Sequence, residues 1–139
     1  MKITSKGRYG IKIMLELAKN YNKDLYIKSK EISEKQNIPI KYLEQIINNL
    51  KKCGLVDSIR GAEGGYKIAR NPESITIYEI LQCLEGNLSI LDPHSDLIKG
   101  DSGQFWKEID KQIQSMLSIN LNDFITRIEN NNDFIMYYI

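Results

Sequence analysis

At 139 residues, with 42% hydrophobic and 27% charged residues, the chain has the size of one domain that can bury a core without disulfides or a structural metal. No run approaches the ~18 consecutive apolar residues of a spanning helix, and Met1-Lys2-Ile3-Thr4 is not followed by a secretory-leader core, so a cytoplasmic protein without membrane contact is expected. The net charge of +1 conceals a division: residues 1–70 hold 15 Lys and Arg against 7 Asp and Glu, whereas residues 71–139 hold 4 against 11.

A basic first half suits phosphates and an acidic second half is repelled by them, so the two halves are expected to do different work. Ile11, Met14, Leu15 and Ala18 recur at helical spacing behind the capping candidates Thr4 and Ser5, predicting a first helix over Lys6–Asn20. Its opening turn carries Lys6, Arg8 and Tyr9. Basic residues there oppose the helix dipole, and phosphate contact is a sufficient reason for them.

A polar loop leads to a second helix over Lys28–Gln36, anchored by Ile32, which Asn37-Ile38-Pro39 breaks. Pro39 suits the first turn of a new helix, where its missing N–H costs nothing. That third helix shows Leu43, Ile46, Ile47 and Leu50 on one face and ends at Gly54. Lys41, Tyr42, Glu44 and Gln45 fall in its early turns and largely off the apolar face, the positions that reach base edges in a helix-turn-helix. Tyr42 is placed at the DNA surface and Leu43 in the core. Glu44 repels phosphate unless it accepts a hydrogen bond from cytosine or orders a neighbouring Lys.

Leu55–Ile59 and Tyr66–Ala69 read as strands joined by the turn Arg60-Gly61-Ala62-Glu63-Gly64-Gly65, with Arg60 at its shoulder. Most Gly-rich turns are merely turns. Directly after a helix-turn-helix, this one reads as a wing whose glycines let backbone approach a phosphate or groove wall.

The second half opens with Thr76-Ile77-Tyr78-Glu79, a capping box, and a helix that Gly86 ends. After a loop over Asn87–Gly103 containing Pro93 and the surface residue His94, a long amphipathic helix spans about Ser102–Ser118. Its Phe105, Trp106, Ile109, Ile113, Met116 and Leu117 have too little domain left to pack against in their own chain, so a symmetry mate is expected to bury them. A short helix over Asn120–Glu129 and an apolar tail, Phe134–Ile139, complete the chain. The expected fold is mainly α with a small β wing: a winged helix-turn-helix over residues 1–72 and dimerisation helices over 73–139, in one compact unit.

Cys53 and Cys83 lack the Cys-x-x-Cys spacing and are read as small apolar residues of a reducing compartment rather than a disulfide or a sensor. No nucleophile–histidine pair, P-loop or zinc-binding helix motif is present, so no enzyme is expected.

Thr4-Ser5-Lys6-Gly7-Arg8-Tyr9, Tyr42-Leu43-Glu44-Gln45, Gly54-Leu55-Val56 and Arg60-Gly61-x-x-Gly64-Gly65-Tyr66, in that order, resemble the Rrf2 family of bacterial transcription regulators. The resemblance implies a homodimer on a pseudo-palindromic operator in double-stranded DNA. It places Lys6, Arg8, Tyr9, Lys28, Pro39, Lys41, Tyr42, Glu44, Gln45, Arg60, Gly61, Gly64 and Gly65 at the DNA, with Pro39 standing where the family often has a small polar residue. Many members hold an iron-sulfur cluster on three cysteines in the loop after the fourth helix; here that loop has none, so no cofactor and no metal are expected.

Within the family, the cysteine-free loop and the C-terminus resemble repressors of cysteine metabolism. This implies repression of sulfur-uptake and cysteine-synthesis genes, and control through a complex with cysteine synthase, whose substrate site captures chains ending in isoleucine. Tyr138 and Ile139 are the candidates for that contact. A strand packed on the dimer core is the other reading of the tail. Alternatives for the whole chain are a regulator answering a small molecule or thiol redox signal, and a module that inhibits cysteine synthase without DNA.

Overall fold

The computed structural model describes the backbone of residues 1–138 and the side chains of residues 1–131. Helix α1 (Ser5–Lys19) is followed by α2 (Ser29–Gln36), α3 (Ile40–Lys52), strands β1 (Val56–Ile59) and β2 (Gly65–Ile68), then α4 (Ile77–Glu85), α5 (Asp96–Lys99), α6 (Gly103–Leu117) and α7 (Leu121–Tyr138). The strands pair antiparallel, Val56 opposite Ile68 and Ile59 opposite Gly65, and β2 gains a bridge to Ile27 on its other edge.

The predicted apolar periods land where amphipathic helices put them. Leu43, Ile46, Ile47 and Leu50 of α3 are wholly buried, together with Ile13, Met14 and Leu17 of α1 and Ile80 and Leu81 of α4. Helices α1 and α4 approach closely because α1 presents glycines to α4: a Cβ on Gly7 would lie 2.5 Å from Glu85 Oε1, and one on Gly10 would lie 2.0 Å from Leu84 Cδ1. Glu16, the one charged residue buried among the described residues, accepts hydrogen bonds from Gln36 and Lys19 and so joins α1 to α2. Asn37, at φ 54°, turns the chain between α2 and α3 in the left-handed region that Asn tolerates.

Three local expectations change. Thr76 caps α4 by accepting from the Glu79 amide (3.0 Å), but the Glu79 carboxylate pairs with Arg70 instead of reaching back, so half the capping box forms. The loop after α4 holds the short helix α5, capped by Ser95, and is anchored by Asp110, which accepts from Ser89 Oγ (2.9 Å) and the Ile90 amide (2.8 Å). Helix α7, capped by Asn120 on the Asp123 amide (2.9 Å), runs on through Tyr138 instead of stopping near Glu129, so the described part of the tail is helix and not strand.

The C-terminal helices are tied back to the start of α4. The Ile77 amide donates to the Ile119 carbonyl (3.0 Å) and the Leu121 amide to the Ile75 carbonyl (2.9 Å).

Candidate nucleic-acid interface

Because α3 buries the Leu43, Ile46, Ile47 and Leu50 face, its other face must meet solvent. Lys41, Glu44, Gln45 and Asn48 are exposed there, at spacings that line one stripe. Pro39 is exposed at the N-cap of α3. Glu44 is steadied from α2, with Ser29 Oγ 3.5 Å from its Oε1. Tyr42 is half-buried and packs edge-to-face on Tyr9, ring centroids 5.5 Å apart, at the joint between α1 and α3.

Between α3 and the wing lies an open groove lined by Lys28, Ser29, Asn48, Lys51, Ser58, Arg60, Gly61, Gly64 and Gly65. It gathers residues from four stretches of sequence and extends the expected set by Asn48 and Lys51 of α3 and by Ser29 and Ser58. The first two were legible from phase, since they follow Lys41 and Glu44 by seven residues on the solvent face. Among the described residues, Lys28, Lys41, Lys51 and Arg60 enter no ion pair, whereas Lys35 is held by Glu31 (3.1 Å) and Lys67 by Asp24 (3.3 Å). Those bonds hold the Lys35 and Lys67 ammonium groups above their ordinary value. The cations that line the groove and the α3 stripe are thus without a carboxylate partner among the described residues.

Two of the wing glycines answer to the protein's own backbone. A Cβ on Gly64 would sit 2.3 Å from the Ile59 carbonyl oxygen, and one on Gly65 2.6 Å from that of Ile27. At Gly61 (φ 110°) nothing lies within 4 Å of such an atom, so close approach by a ligand is open at that exposed tip.

At the amino end of α1 neither capping candidate acts. Thr4 makes no side-chain cap, and Glu85, from the end of α4, takes its place. The Glu85 carboxylate accepts from the Thr4 amide (2.8 Å), Thr4 Oγ1 (2.7 Å) and the Gly7 amide (3.0 Å). Burial pushes this carboxyl up, but the Thr4 and Gly7 bonds and the Lys6 charge outweigh it and hold the group below the usual carboxylate range. The positive end of the α1 dipole is thus matched by an acid 81 residues away in sequence. Arg8 is exposed and donates to Ser5 Oγ (3.0 Å); Lys6 is half-buried.

The reading of the cysteines is overturned. Cys53 at the C-cap of α3 and Cys83 in α4 form a disulfide, with Cα atoms 6.2 Å apart; Cys53 is exposed and Cys83 half-buried. Their spacing along the chain carries no sign of it, because two helices packed side by side make the pair.

On α6, Phe105 and Met116 are 59% and 74% exposed, while Trp106, Ile109, Ile113 and Leu117 are half-buried. The expected partner contact at Tyr138 and Ile139 falls outside the described side chains, and Ile139 outside the described backbone. No helix among the described residues is long and apolar enough to cross a membrane.

The Rrf2 family model, described as an iron-dependent transcriptional regulator, matches residues 3–127. The HTH-type transcriptional regulator CymR of Bacillus subtilis is 36% identical over 140 residues, covering 100% of both chains. Its solved structure, the global cysteine regulator of B. subtilis, superposes with TM-score 0.80 over 91% of this chain and 98% of that one. T. potens IscR is 36% identical with TM-score 0.75, over 94% and 90%.

The residues present do not fit an iron-sulfur cluster. Such clusters need cysteine thiolates, the chain's two cysteines are bonded to each other, and no three His, Cys, Asp or Glu side chains converge among the described residues. With an exposed polar stripe on its third helix, a basic groove beside its wing and relatives that match along its whole length, the chain belongs to the Rrf2 family of DNA-binding helix-turn-helix transcriptional regulators and is CymR-like.

Proposed function

We propose that the protein is a homodimeric repressor of genes for sulfur uptake and cysteine synthesis. It works in the cytoplasm, catalyses no reaction and carries no iron-sulfur cluster. The observation that carries this is the match along the full length of both chains to a regulator whose solved structure is described as the global cysteine regulator of its organism.

Residues 1–72 meet DNA and residues 73–139 provide the dimer contact and the control. Lys41, Glu44, Gln45 and Asn48 of α3 enter the major groove, supported at its start by Pro39 and Tyr42. Arg60 and the wing glycines meet the backbone or minor groove, and Lys6, Arg8, Tyr9, Lys28 and Lys51 meet flanking phosphates. The outer face of α6 pairs with that of a second copy. Two-fold symmetry then calls for a pseudo-palindromic operator with half-sites about one or two helical turns apart, ~34 to 36 Å per turn. Cysteine synthase controls the dimer by taking up Tyr138 and Ile139.

The test is to map binding across the genome and compare transcripts with and without the gene at low and high cysteine supply. Occupancy upstream of sulfur-uptake and cysteine-synthesis genes, with higher transcripts when the gene is deleted, is expected. Occupancy elsewhere, with sulfur genes unmoved, would remove the cysteine reading. Deleting Ile139 should abolish capture of cysteine synthase and leave the dimer intact; an unaffected complex would rule out the tail as the contact.

A further inference from the structure

We propose that Cys53 and Cys83 form a reversible dithiol–disulfide site that reacts with low-molecular-weight disulfides and, when closed, strengthens the protein's grip on DNA. The effect on DNA rests on the DNA-binding reading above; the site itself does not.

The bond does not serve as a core staple. The apolar face of α3 is wholly buried through Leu43, Ile46, Ile47 and Leu50, while Cys53 is exposed and Cys83 half-buried. A chain of this size holds its core without such a link, which small secreted domains use instead.

The two sulfurs differ in a way that assigns their parts. Exposed Cys53 is open to a small reagent. Cys83 Sγ lies 3.4 Å from the Asn49 carbonyl oxygen, where a free thiol donates a hydrogen bond and a disulfide has no proton to give. In the open form Cys83 therefore has a resting place beside its partner, and Cys53 attacks first. The Cys53 thiolate displaces one thiolate from the small disulfide and forms a mixed disulfide. Cys83, giving up its proton to solvent, then attacks the Cys53 sulfur and expels the second thiolate. Two protein thiols are oxidised, and one small disulfide is reduced to two thiols.

The link sits where it can be felt at the interface. Cys53 is the joint between α3 and the wing, two residues after the groove residue Lys51 and three before β1 begins. Cys83 belongs to the same end of α4 that supplies Glu85 to the amino end of α1. Closing the bond ties the recognition helix and the root of the wing to the helix that holds α1. The joint is then ordered before DNA arrives instead of on binding, and preorganisation of that kind raises affinity.

Wild-type protein is equilibrated in buffers of oxidised and reduced glutathione, and the disulfide is counted by thiol alkylation and mass spectrometry. Affinity is measured for a labelled duplex that the protein itself selects from random-sequence DNA. The pair should open in excess reduced glutathione and close again in oxidised glutathione, with the closed form binding ~5- to 10-fold more tightly, the order expected for one joint preordered. Cys53→Ser and Cys83→Ser should bind like the open form in both buffers. A bond that stays shut in excess reduced glutathione, a dithiol that oxidised glutathione leaves open, or a glutathione adduct that Cys83 never resolves would overturn the site. Equal affinities of open and closed forms would overturn the link to DNA. If no duplex is selected in either state, the DNA reading fails, and the alkylation count still decides the site.

Discussion

Glu85 shows how much one side chain can decide here. It caps a helix that its own sequence neighbours do not cap, and it does so from the helix carrying Cys83. Glu85→Ala should cost roughly 0.5–2 kcal/mol, as loss of an N-cap does. A group with a depressed folded pKa adds stability above its unfolded value and loses it as pH falls through the folded value. The melting-temperature gap between wild type and Glu85→Gln should therefore be full at neutral pH and close below the ordinary carboxylate value of about 4.3; a gap constant into strong acid would contradict this. At the groove, Lys51→Ala and Arg60→Ala should each weaken DNA binding and lower the slope of log affinity against log salt by roughly 0.9 for each phosphate the side chain neutralises. Titration by fluorescence anisotropy at several salt concentrations measures both.

Among the elements, the helices were legible because their apolar residues repeat at the helical period and Pro39, Gly54 and Gly86 punctuate them. The wing was legible from its glycines, though not the reason for two of them. Gly65 passes beside Ile27, whose amide donates to the Tyr66 carbonyl (2.7 Å) and whose carbonyl accepts from the Tyr66 amide (2.8 Å). Gly65→Ala puts a Cβ against that backbone at φ 147°, a conformation side chains avoid. The substitution should displace the wing, destabilise the protein by ~1–3 kcal/mol, and reduce DNA affinity while far-UV circular dichroism stays helical. Helix α5 and the extension of α7 were not legible. Four residues are too few to show a period, and Asn130-Asn131-Asn132 reads as a break although the helix runs through it.

At the scale of the whole molecule, the acidic half leaves Phe105 and Met116 as the most exposed apolar residues of α6. Phe105→Glu combined with Met116→Glu should yield a folded monomer in sedimentation velocity, because neither side chain supports the core. The monomer should bind operator on the order of 10²-fold more weakly, since the two half-sites are then engaged separately. A variant that remains dimeric would place the two-fold contact elsewhere.

The sequence by itself determined the order of the longer helices, the wing, the charge division and the exposed polar stripe of α3, because each is written in local period, turn chemistry or composition. Tertiary structure alone decided the Glu85 cap, the Cys53–Cys83 bond and the groove that joins Lys28 to Lys51 and Arg60. The physical reason is the same in each case. These contacts join residues far apart in the chain, and only the packing of α1 and α3 on α4, and of the wing on α3, brings them within bonding distance.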